Sequence, residues 1–114
     1  MDHRVKPAGD RVWYIRHMRK NPTAHPGRLL KHELTARGLS ANRLALDIGV
    51  PSSRMTDILN GRRSITADTA VRLGHYFGNS AQFWLDLQSQ YDIAVVEQKY
   101  GAEISRRVRP ADVT

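Results

Sequence analysis

Ser52, Ser53, Arg54, Thr56 and Asp57 bring together the side-chain groups that read base-pair edges. An arginine fork pairs in bidentate fashion with guanine, hydroxyls donate or accept, and a carboxylate accepts from the cytosine amino group. A few residues on, Asn60-Gly61-Arg62-Arg63 combines a tight turn, free backbone amides and two guanidinium groups, which suits phosphate oxygens. Ser40 and Arg43, at the start of the preceding segment, are further phosphate-contacting candidates. The same polar residues also fit a solvated face on an ordinary pair of core helices.

The stretch from Leu39 to Arg63 must position these groups. Read as two short helices at a sharp angle, it turns Leu44, Ala45 and Ile48 inward on the first and Met55, Ile58 and Leu59 inward on the second, at three- and four-residue spacing. Ser40 is an N-cap, Gly49 suits a helix end at positive φ, and Pro51 suits the opening of a second helix because its missing N–H costs nothing there. The second helix runs over about residues 52–60, with its polar face turned outward. In a helix-turn-helix, that second helix enters the DNA major groove.

The run from His25 to about Asp92 resembles the lambda-repressor-like (XRE) helix-turn-helix family, and more closely its HigA/VapI branch of toxin–antitoxin antitoxins. The residues that carry the resemblance are the turn Asn60–Asp68 (NGRRSITAD) and the segment Phe83–Gln88 (FWLDLQ). It implies an all-α, five-helix DNA-binding domain, autorepression of an operon at a palindromic operator, and neutralisation of a HigB-like ribonuclease toxin. A stand-alone repressor without a toxin fits the same motifs. Ser52 and Ser53 replace the paired glutamines that open the recognition helix of phage repressors, so their operator sequence does not carry over.

Length and composition agree with one small helical domain. The chain has 114 residues, about 40% of them apolar, and no cysteine, so packing alone must hold it, as a reducing cytoplasm allows. The longest strictly apolar run is Ile93–Val96, and neither a membrane span nor a signal peptide is expected. Of the net +7, residues 1–24 carry six Lys/Arg against two Asp, residues 25–80 eight against four, and residues 81–114 four against five acids. The cations therefore accompany the helix-turn-helix, leaving the C-terminal third for protein contacts.

In chain order, residues 1–24 are expected to form a basic extension. Its amphipathic stretch Arg11–Lys20 places Val12, Ile15 and Met18 on one side with Trp13 and Tyr14 beside it. Residues 1–17 are either an upstream extension or a segment that orders on a partner, the toxin being the candidate. Residues 25–80 form the DNA-binding domain. Its first helix opens at Pro26, turns Leu29, Leu30 and Leu34 inward and stops at Gly38; its fourth is capped by Thr66, turns Ala70, Leu73 and Phe77 inward and stops at Gly78. Ser80 caps a last helix over residues 81–102, ending near Gly101, and residues 103–114 are expected to fray.

Phe83, Trp84, Leu85 and Leu87 cover more than one face of that last helix, so Phe83, Trp84, Leu87 and Tyr91 are expected to bury against a second chain in a homodimer. The alternative is that Phe83 and Trp84 close the core of the single chain. Catalysis finds no support. His32-Glu33 lacks the second histidine of a zinc-protease helix, the five histidines have no ligand spacing, and no phosphate loop or nucleophile elbow is present. No enzyme, metal, cofactor or small-molecule ligand is expected. The rival class is an RNA- or protein-binding helical adaptor, and the basic region has no aromatic platform for single-stranded RNA.

Overall fold

The computed structural model describes residues 24–112. These form five helices and no strand: α1 Pro26–Arg37, α2 Ala41–Ile48, α3 Ser52–Leu59, α4 Ala67–Phe77 and α5 Ala81–Arg107. The expectations for the amphipathic stretch Arg11–Lys20 fall outside the described residues.

Local chemistry sets most helix ends. Ser40 Oγ accepts from the Arg43 N–H at 3.0 Å, Ser80 Oγ from the Phe83 N–H at 3.0 Å and Thr66 Oγ1 from the Thr69 N–H at 3.5 Å, each satisfying an amide that the first turn leaves unpaired. At the opening of α1, His25 Nδ1 accepts from the Gly27 N–H at 2.9 Å. Between α2 and α3 the chain reverses at Gly49, whose φ of 75° lies in the left-handed region that side chains with a Cβ avoid.

The apolar positions expected on α1 to α4 all reach one core: Leu29, Leu30, Leu34, Leu44, Ala45, Ile48, Met55, Ile58, Leu59, Ala70, Leu73 and Phe77 are buried. Val50 and Ile65, from the connecting segments, join them.

Two expectations are corrected. Phe83, Trp84 and Leu87 are only 3%, 0% and 4% exposed within the single chain, so they are not available as a dimer surface. The N-terminal half of α5 lies between α4 and α1 and is covered on two sides, which is why its apolar residues spread over more than one helix face. Trp84 packs against Phe77 and Phe83, with ring centroids at 5.8 and 5.3 Å, and its Nε1 donates to Asn79 Oδ1 at 2.9 Å. Tyr91 is half-buried, its ring edge-on to His25 of the same chain at 5.1 Å.

The second correction is the end of α5, which passes through Gly101 and continues to Arg107. A helical glycine costs only about 1 kcal/mol, and the flanking Ala, Glu, Lys and Arg residues are good helix formers with an Arg107–Glu103 pair at 3.4 Å. Among the described residues, 108–112 lie beyond the helix.

Candidate nucleic-acid interface

The candidate recognition segment is built from α3 and the turn that follows it. Met55, Ile58 and Leu59 anchor α3 in the core, while Ser52, Ser53 and Thr56 are exposed and Arg54 and Asp57 half-buried. Pro51 supplies no side-chain cap, so the amides of the first turn of α3 are left for solvent or a ligand.

Not all the candidate residues are free. Arg54 Nη1 lies 3.5 Å from Asp68 Oδ2, and the Asp57 carboxylate receives Arg62 Nε and Nη2 at 3.3 and 3.1 Å. One expected base reader, Asp57, thus pairs with one expected phosphate contact, Arg62. Arg43 pairs with Asp47, which also accepts from the Tyr76 hydroxyl at 3.2 Å. Arg63, by contrast, is exposed and makes no ion pair among the described residues. Asn60 is exposed beside it, as is Ser40 at the start of α2.

Two residues that sequence reasoning left without a role position this turn. Gln88, 4% exposed on α5, accepts from the Ile65 N–H through Oε1 at 2.8 Å and donates through Nε2 to Asp92 at 2.9 Å. The segment between α3 and α4 is thereby tied to α5. The Phe83–Gln88 motif contained the residue, but helical periodicity carries no sign of a bond to a residue 23 positions away. His25 lies under the same turn: a Cβ on Gly61 would stand 3.7 Å from its side chain. Burial pushes the His25 imidazole below its usual value, opposed by a hydrogen bond to the Arg63 backbone and by the charge of Asp92.

The shallow groove beside this turn, about 690 Å³, is lined by Arg28, Lys31 and His32 of α1 together with Asn60, Gly61 and Tyr91. Basic side chains thus extend from the turn onto α1. Among the described residues no cluster of acidic and histidine side chains could hold a metal ion, and no helix is long and apolar enough to cross a membrane.

Two helices meeting at a glycine corner, the second offering uncapped amides and polar side chains beside a basic turn, define a helix-turn-helix domain. A helix-turn-helix family model matches residues 30–84. Virulence-associated protein I of Dichelobacter nodosus is 49% identical over 78 residues, spanning 68% of this chain and 72% of the relative. An addiction module antidote protein of the HigA family from Coxiella burnetii is 48% identical, with a TM-score of 0.75 over 78% of this chain and 98% of that one. The Pseudomonas aeruginosa antitoxin HigA, solved with the higBA promoter, is 38% identical, with a TM-score of 0.75 over 79% and 99%. The chain belongs to the HigA family of helix-turn-helix proteins.

Proposed function

We propose that the chain is a non-enzymatic, cytoplasmic antitoxin that binds the double-stranded DNA of its own palindromic operator and neutralises a HigB-like ribonuclease toxin. The observation that carries the DNA reading is the exposed, uncapped start of α3, with Ser52, Ser53, Arg54 and Thr56 along it and the Asn60–Arg63 turn beside it. The similar Pseudomonas antitoxin was solved with a promoter, which supports the same reading. In this arrangement Arg54 and the hydroxyls meet base edges. Asn60, Arg63 and Arg43 take phosphates, and Arg62 and Asp57 exchange their mutual pair for contacts to DNA.

Arg54→Ala should cost about 1–3 kcal/mol at the cognate operator and little on unrelated duplexes, whereas Arg63→Ala should weaken both and flatten the salt dependence by about one unit. Binding titrations at several salt concentrations check this, and equal loss on every sequence for Arg54→Ala would remove it from base readout. Rescue of cells expressing the toxin tests the antitoxin half of the reading.

A two-fold dimer places two copies of α3 on successive major grooves, roughly 34–36 Å apart. The surface for it is the projecting half of α5, where Ile93, Val96, Tyr100 and Ile104 recur at helical spacing and are 57%, 44%, 53% and 43% exposed. This stripe lies beyond the buried Phe83, Trp84, Leu87 and Gln88, so its disruption leaves the core intact. Ile93→Asp combined with Val96→Asp should halve the sedimenting mass while keeping the helix content. An unchanged mass would place the dimer contact elsewhere.

A further inference from the structure

Beside α3, one carboxylate joins three elements. Asp68, in the first turn of α4, is exposed, and its Oδ2 receives both Arg54 Nη1 at 3.5 Å and Arg72 Nε at 3.0 Å. Arg72 in turn donates through Nη1 to the carbonyl of Ile48 at 2.9 Å and to that of Gly49 at 3.4 Å, the backbone at the corner between α2 and α3. Arg72 therefore links the carboxylate to the corner of the helix-turn-helix, and Arg54 lies at the outer limit of hydrogen-bond distance from the same carboxylate oxygen.

An acidic side chain beside a DNA-facing helix meets phosphate repulsion. Two guanidinium groups on one oxygen offset that charge. Only one nitrogen of Arg54 is used in its pair with Asp68, so the rest of its planar fork remains free to face outward. A long arginine side chain loses rotamer freedom when it is immobilised, and holding it before DNA arrives reduces that loss at binding.

We propose that Asp68 is a specificity-determining positioning residue: it orients Arg54 toward one base pair, and Arg72 holds Asp68 in place. The inference rests on the base-reading role of Arg54 given above. Asp68 makes no base contact in this arrangement and acts through the arginine.

The test is a double-mutant cycle on the full chain. Wild type, Asp68→Asn, Arg54→Ala and the double variant are titrated against the cognate operator and a panel with each base pair changed singly, at one salt concentration. Arg54→Ala should abolish discrimination at one base pair. Asp68→Asn should reduce discrimination at that same base pair by about tenfold while raising affinity for unrelated duplexes, and should change nothing in discrimination once Arg54 is gone. A uniform shift over the panel for Asp68→Asn, or an altered discrimination in the Arg54→Ala background, would overturn the inference while leaving base reading by Arg54 in place. Discrimination kept at every base pair by Arg54→Ala would overturn the base reading, and the inference with it.

Discussion

Trp84→Ala is expected to destabilise the fold by about 3–5 kcal/mol, the range for emptying a buried aromatic site. Trp84 has no exposed surface, it packs between the rings of Phe77 and Phe83, and its indole N–H is the donor to Asn79 Oδ1. The buried Asn79 Nδ2 already lacks a partner, so removal of the indole would leave both ends of that amide unsatisfied. With total stabilities of about 5–15 kcal/mol for domains of this kind, the variant should be largely unfolded well below the wild-type transition. Urea unfolding followed by circular dichroism measures it. Trp84→Phe, which keeps most of the ring contacts and loses only the donor, should cost clearly less. A folded Trp84→Ala protein of reduced mass would instead restore Trp84 to a dimer interface.

Gly27→Ala should have an effect of the opposite sign to its helix propensity. In an exposed helix the change would stabilise by about 1 kcal/mol. Here a Cβ on Gly27 would lie 2.0 Å from the carbonyl oxygen of Ile58 and 3.1 Å from Leu59 Cα, both backbone atoms that no rotamer change can move. The first turn of α1 must retreat from the last turn of α3, and we expect a loss of about 3 kcal/mol, at the upper end for overpacking. Because that turn of α3 leads directly into Asn60–Arg63, operator affinity should also fall under conditions where the variant remains folded. Unfolding midpoints and operator titrations of the same preparation check both effects. A stabilised variant would show that α1 and α3 do not approach this closely.

The features legible in the sequence are those that depend on neighbours along the chain. Ser40, Thr66 and Ser80 cap because a hydroxyl reaches amides two or three residues ahead. Gly49 turns because it tolerates positive φ, and the inner faces of α1 to α4 follow from helical periodicity. The position of the proposed base-reading residues on the outer face of α3 follows from the same rule, since Met55, Ile58 and Leu59 leave Ser52, Ser53 and Thr56 no other side.

Tertiary structure decided whatever depends on which elements arrive from elsewhere in the chain. Periodicity showed that Phe83, Trp84 and Leu87 exceed one face of α5; it could not show that α1 and α4 together cover that surplus. Gln88 reads as an ordinary polar helix residue until Ile65 comes to its carbonyl oxygen. The pairing of Asp57 with Arg62, and of Arg54 with Asp68 and Arg72, exists because α3, its following turn and the start of α4 converge in space. Backbone caps act over one turn and are written locally, whereas burial and ion pairing are properties of a packed neighbourhood, which only the assembled helices define.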